Sequence, residues 1–65
     1  MPKGFYKDLV KELVRLGFAF ERQAKGSHEK WRNPETNVSV NVPFNLDSRH
    51  TANAILKDAG STERF

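Results

Sequence analysis

The chain contains no cysteine, which excludes a disulfide framework and a thiolate zinc site. Its two histidines cannot fill a tetrahedral metal shell without several carboxylates, so we expect no metal and no other cofactor. Long apolar runs are also missing, and Lys3, Lys7 and Asp8 interrupt the segment where a secretory signal would need an apolar core. These absences predict a cytoplasmic protein that works without a cofactor.

The chain is also short, and its 65 residues leave room for one hydrophobic core. We therefore expect a single domain over residues 1–65. A chain of this length buries only about 60% of the surface that its unfolded form exposes, which favours a functional site on an open face over a deep pocket. Its 37% of hydrophobic residues and its few prolines and glycines are typical of a globular protein and not of a disordered one.

Positive charge is concentrated in the first half of the chain. Residues 1–32 hold eight basic and four acidic side chains, whereas residues 33–65 hold three basic and four acidic ones. The densest basic cluster contains Arg22, Lys25, Lys30 and Arg32. Such a cluster favours a polyanionic partner such as nucleic acid, although a solvated charged surface is its commoner cause.

Apolar residues repeat with helical spacing near both ends of the chain. The first repeat predicts a helix over residues 4–16, preceded by Pro2 and terminated by Gly17. The second repeat predicts a helix that Asp47 or Ser48 caps and that ends at Gly60. Residues 61–65 show no pattern, so we expect them to fray.

Between the helices, the pattern changes to the alternation of β-strands. It predicts strands over residues 18–23, 28–32 and 38–42, separated by a turn at residues 25–27 and by turn-forming residues from 33 to 37. In the first strand, alternation places Phe18, Phe20 and Arg22 on one face. The order helix, three antiparallel strands, helix predicts an α+β two-layer sandwich, with both helices on one face of the sheet and the other face open.

Alternation within the second strand places His28, Lys30 and Arg32 on one face, with Glu29 and Trp31 on the other. We expect Trp31 in the core beneath the helices; the alternative is a platform for stacking an unpaired base. His28 then faces outward among cations. Imidazole exchanges protons at neutral pH and cations can hold a phosphate, as cleavage of RNA by its own 2′-hydroxyl requires. His28 is therefore a candidate catalytic residue, although a lone surface histidine is commonly inert.

Other polar residues are weaker candidates for chemistry. His50 lies near the start of the second predicted helix, and we interpret it as a surface residue. Ser27 lacks the glycine elbow and the orienting partner of a serine nucleophile. Glu21 and Glu29 could meet across the hairpin, but a salt-linked surface is the favoured interpretation.

Four short motifs occur in order along the chain. They are Leu16-Gly17-Phe18, then Lys25-Gly26-Ser27-His28 with Trp31 three residues later, then Val40-Asn41-Val42-Pro43, and finally Ala54-Ile55-Leu56-Lys57-Asp58-Ala59-Gly60. Each motif is weakly specific alone, but together they resemble the HicA toxin family of HicAB toxin–antitoxin systems over nearly the whole chain.

The resemblance implies a fold similar to the double-stranded-RNA-binding domain. It also implies a metal-independent endoribonuclease, an mRNA interferase that cleaves mRNA and arrests translation and growth until a HicB-type antitoxin covers its active face. The family's catalytic histidine corresponds to His28, and Gly26 and Ser27 shape the turn that presents it. The expected RNA contacts, inferred from charge and position and not from the family, are Lys25, Lys30, Arg32 and Arg22.

The chain departs from the family pattern in two places. Glu29 stands where many members have a second histidine. A histidine and a Gly-Thr-Leu helix start often follow the Val-Pro motif, and in their place this chain has Phe44-Asn45-Leu46 and His50-Thr51-Ala52. Two other functions therefore stay open. One is a non-catalytic RNA-binding module that uses the same basic face, and the other is an adaptor whose basic face docks an acidic protein.

Overall fold

The computed structural model describes residues 4–65, so the prediction for Pro2 lies outside the described residues. The chain forms two helices and three strands in the order α-β-β-β-α, and the strands make one antiparallel sheet with β2 in the centre. This confirms the predicted α+β sandwich, similar to the double-stranded-RNA-binding domain. The elements are α1 (Tyr6–Arg15), β1 (Ala19–Gln23), β2 (His28–Asn33), β3 (Val38–Pro43) and α2 (Arg49–Asp58).

The helix α1 begins two residues later than the sequence predicts, at Tyr6. Phe5 precedes it without a side-chain cap, and the Phe5 N–H donates instead to the carbonyl of Leu46 at 2.9 Å. At the other end, Gly17 has a φ of 103°, in the left-handed region that favours glycine. A Cβ there would also lie 3.3 Å from Asn33 Nδ2, so both conformation and space favour glycine.

The helix α2 is capped by Ser48, one of the two predicted candidates. The Ser48 Oγ accepts a hydrogen bond from the Thr51 N–H at 3.3 Å, which satisfies one of the backbone donors at the start of the helix. Gly60 follows the helix with a φ of 85°, as its predicted role at the helix end requires. No helix within residues 4–65 is long and apolar enough to cross a membrane.

The register of the sheet is regular between β2 and β3 and interrupted between β1 and β2. Phe20 pairs with Trp31, whereas Arg22 pairs with Lys30, so Glu21 is an extra residue in β1. A bulge of this kind inverts the alternation of side chains beyond it. The prediction that Phe20 and Arg22 share a face is therefore wrong, because Arg22 lies on the face of its partner Lys30.

The hydrophobic core lies between the two helices and one face of the sheet. Trp31 is 7% exposed and belongs to it, which confirms its predicted core position and makes the base-stacking alternative for this residue wrong. All five residues of β1 are exposed, so the helices cover mainly β2 and β3. The buried members are Leu9, Leu13, Phe18, Trp31, Val40, Val42, Leu46, Ala52, Ile55 and Leu56.

The prediction that residues 61–65 fray is wrong. Ser61 is buried, and its Oγ donates to Glu12 Oε2 at 2.9 Å. Further along, the Phe65 N–H donates to Asn53 Oδ1 at 2.8 Å, and the ring of Phe65 packs on that of Phe5 with centroids 5.3 Å apart. These contacts are made by single polar groups and one aromatic pair, which have no periodicity for the sequence pattern to reveal.

Candidate nucleic-acid interface

The face of the sheet that the helices leave uncovered carries the predicted site residues of β2. His28, Lys30 and Arg32 alternate along the strand with Trp31 and Asn33, which are buried on the helix side. His28 is exposed and the other two are half-buried. The structure therefore places an imidazole and two cations in one row on an open surface, as alternation predicts. We call these three residues the β2 row.

Arg22 joins the β2 row because of the bulge in β1. Its cross-strand partner is Lys30, and directly paired residues of an antiparallel sheet lie on the same face. Simple alternation would have placed Arg22 with Phe20 on the helix side. Glu21, the extra residue, is not a glycine, and nothing in the local sequence marks the bulge.

The turn between β1 and β2 presents His28 at the start of its strand. Gly26 has a φ of 65°, and a Cβ there would meet no atom within 4 Å, so backbone conformation alone favours glycine at this position. The His28 N–H donates to the carbonyl of Lys25 at 3.2 Å, and the Ala24 N–H donates to the carbonyl of His28 at 2.8 Å. Lys25 itself is exposed at the tip of this turn.

Two residues that sequence reasoning missed hold this turn from its two sides. On one side, Gln23 Nε2 donates to the carbonyls of Gly26 and His28, at 3.2 and 3.1 Å. On the other, the Phe44 N–H donates to the carbonyl of Ser27 at 2.9 Å. The backbone around His28 is thus attached to both β1 and the end of β3, which fixes where the imidazole leaves the sheet.

The side chain of Glu29 lies behind His28 on the helix side. Its Oε1 accepts hydrogen bonds from the Tyr6 hydroxyl at 2.8 Å and from Trp31 Nε1 at 3.0 Å. Burial, the hydrogen bond to Glu29 and the negative charge of Glu29, in that order, raise the pKa of Tyr6 above its ordinary value. The salt-linked interpretation of Glu21 and Glu29 is wrong, since neither forms an ion pair within residues 4–65.

Arg32 is oriented by the turn between β2 and β3. Its Nη2 donates to Asn37 Oδ1, and Asn37 has a φ of 67°, which asparagine tolerates better than most residues. The sequence marks residues 33–37 as a turn but does not single out Asn37 as a partner of Arg32. This contact holds the guanidinium at the end of the β2 row opposite His28.

His50 lies on α2, in a different layer of the fold from His28 on β2. It is the second residue of α2 and exposed, which confirms its interpretation as a surface residue. The helix α2 belongs to the layer that covers the other face of the sheet. Within residues 4–65, no three His, Asp or Glu side chains are grouped so that they could hold a metal ion.

The chain is thus an α-β-β-β-α sandwich with a histidine and cations on its open face. The chain matches the family model described as the HicA toxin of bacterial toxin–antitoxin systems, over residues 6–61. The match includes all five elements and the whole β2 row. The chain belongs to the HicA toxin family, which gives it a toxin role and an antitoxin partner. Neither the curated proteins nor the solved structures gave a match.

Proposed function

We propose that this toxin is a metal-independent endoribonuclease, an mRNA interferase that acts in the cytoplasm and arrests translation and growth. The observation that carries the proposal is the exposure of His28 on the same uncovered face as Lys30 and Arg22. A histidine alone would carry little weight. The cations on the same face can bind an RNA phosphate beside the imidazole of His28.

In the proposed reaction, His28 acts as general base on RNA bound across the open face. Its imidazole takes the proton of a 2′-hydroxyl, and the 2′-oxygen attacks the adjacent phosphorus. The bond from phosphorus to the 5′-oxygen breaks, giving a 2′,3′-cyclic phosphate on one product and a 5′-hydroxyl on the other. The 5′-oxygen receives its proton from the imidazolium or from water. Lys30 and Arg22 offset the additional negative charge on the phosphorane.

The proposal extends to neutralisation by an antitoxin that covers the open face. We propose that a HicB-type antitoxin presents acidic side chains to the β2 row and excludes RNA from His28. Charge complementarity of this kind speeds association and selects the partner. The same cations would then serve the substrate and the inhibitor in turn, so RNA and antitoxin should compete for one surface.

Induced expression in bacterial cells tests the catalytic role of His28. Wild-type protein should stop growth and fragment mRNA, and His28→Ala should do neither at equal protein levels. His50→Ala is the matched control, since it removes the other histidine from a different layer of the fold. Continued growth arrest with fragmented mRNA in the His28→Ala strain would refute the catalytic role.

The non-catalytic RNA-binding module gives a different pattern. Such a protein would bind RNA without cutting it, and His28→Ala would change its affinity for RNA little. For an endoribonuclease and for a binding module alike, Lys30→Ala and Arg22→Ala should each reduce the dependence of log affinity on log salt concentration, by about 0.7 per phosphate contact on single-stranded RNA. Salt dependence therefore tests the interface, and the histidine variant distinguishes the two functions.

A further inference from the structure

A shallow groove of about 270 Å³ lies at the end of the β2 row opposite His28. Ala19 pairs with Arg32 across the strands, and its small side chain leaves space beside the guanidinium. Glu21 follows Ala19 by two residues in β1 and also lines this groove. The residues that line the groove are Ala19, Phe20, Glu21, Arg32 and Pro34.

The groove carries opposite charges that are not paired with each other. Glu21 and Arg32 both line it, yet no ion pair joins them within residues 4–65. Arg32 is held by Asn37 instead, which orients its guanidinium plane, and Glu21 is exposed. An oriented cation plane and a separate hydrogen-bond acceptor are thus both available to one ligand.

We propose that this groove is a nucleobase subsite that selects a base with an exocyclic amino group. The inference rests on the proposed ribonuclease function and adds a source of sequence preference to it. RNA-binding proteins stack unpaired bases on arginine planes, and carboxylates accept hydrogen bonds from base amino groups. Arg32 supplies the plane and Glu21 the acceptor, and Pro34 also lines the groove.

The groove lies within reach of the same RNA strand that His28 would cut. His28 and Arg32 are four residues apart on β2, which corresponds to about 13 Å along a strand. At about 3.4 Å per stacked nucleotide, this separation corresponds to about four nucleotides, and to fewer where the bases are splayed apart. The subsite therefore reads a base close to the scissile phosphate, and the preference appears in which positions are cut.

Cytosine and uracil provide the sharpest test, because they differ chiefly in an amino or an oxo group at the same ring position. Binding is measured by fluorescence anisotropy with oligocytidine and oligouridine, in a His28→Ala background that leaves the RNA uncut. We expect oligocytidine to bind about tenfold more tightly, as the loss of one hydrogen bond to a charged group implies. Glu21→Gln should bring this ratio close to one, because an amide can also donate to uracil.

The control variant is Asp8→Asn, which removes the same charge from an exposed position on α1. Asp8→Asn should strengthen binding to both oligonucleotides slightly and leave the ratio of their affinities unchanged, and only Glu21→Gln should change this ratio. The subsite would be overturned if the parent protein bound both oligonucleotides equally well, or if Glu21→Gln left the ratio of the two affinities unchanged. Neither result would contradict RNA binding itself.

Two further outcomes separate this inference from the function on which it rests. If the parent protein binds neither oligonucleotide and wild-type protein cuts no RNA, the ribonuclease proposal fails and the subsite fails with it. If Glu21→Gln weakens binding of the antitoxin and leaves the base ratio unchanged, the groove is a protein contact at the edge of β1, and the nucleobase assignment is overturned.

Discussion

The hydroxyl of Tyr6 donates a 2.8 Å hydrogen bond to Glu29 Oε1, and this contact joins α1 to β2 directly behind His28. The same oxygen accepts from Trp31 Nε1, so one carboxylate serves two donors from different layers of the fold. A carboxylate oxygen can accept both hydrogen bonds because it carries two lone pairs. In this chain, Glu29 therefore connects the core to the strand that carries the candidate site.

Removing Glu29 should destabilise the protein more than removing the Tyr6 hydroxyl. We expect a loss of about 1 kcal/mol in the free energy of unfolding for Tyr6→Phe, and of about 2 to 3 kcal/mol for Glu29→Ala, which leaves two donors without their acceptor. Urea denaturation measures both. Glu35→Ala, in the exposed turn after β2, is the control and should change stability little. Equal losses for Glu29→Ala and Glu35→Ala would contradict the structure.

The ionisation of Tyr6 should occur at higher pH in the folded protein than in the unfolded chain. Because the pKa is raised on folding, the stability that this group contributes is fully present below pH 10.0 and is lost as pH rises through the folded-state pKa. Tyr6 is the only tyrosine, so phenolate absorbance reports it directly. Glu29→Gln should lower the pKa of Tyr6, although the increase caused by burial should remain. A Tyr6 titration unchanged by Glu29→Gln would show that the contact does not form.

Trp31 and Phe20 should differ sharply in their contributions to stability, although they face each other across β1 and β2. Their rings meet edge-on with centroids 5.9 Å apart, but Trp31 is 7% exposed and Phe20 is 52% exposed. Trp31→Ala should cost about 3 to 5 kcal/mol, and Phe20→Ala about 1 kcal/mol, close to the value of an aromatic pair. Similar costs in denaturation experiments would mean that β1 is covered more fully than the structure shows.

Asn33 should be a further determinant of stability, although it is polar. Its Nδ2 donates to the Leu16 carbonyl at 3.1 Å, and its Oδ1 accepts from the Glu35 N–H at 2.9 Å, at a position only 6% exposed. Asn33→Ala should cost about 1 to 3 kcal/mol, because it removes the partners of the Leu16 carbonyl and the Glu35 N–H. Asn33→Asp keeps the acceptor but turns an oxygen toward the Leu16 carbonyl at a buried position, so it should also be destabilising. Wild-type stability in both variants would contradict these contacts.

The sequence predicts the order of the elements and the orientation of β2, because both follow from periodic burial of apolar residues. Trp31 and the valines of β3 alternate cleanly, and this alternation alone places His28 on the open face. The part that could not be predicted depends on single contacts. Such local features leave no periodic pattern in the sequence. They are the extra residue Glu21 in β1, the hydrogen bond between Arg32 and Asn37, and the hydrogen bond between Ser61 and Glu12.

The central claim is that His28 on the open face cuts RNA through the 2′-hydroxyl. A time course with purified protein and single-stranded RNA in EDTA tests it most directly, beside His28→Ala and a substrate with 2′-deoxynucleotides. We predict that wild-type protein cuts the RNA and leaves the deoxy substrate intact, and that His28→Ala cuts neither. Cleavage of the RNA by His28→Ala at the wild-type rate, or RNA that wild-type protein binds and never cuts, would contradict the account.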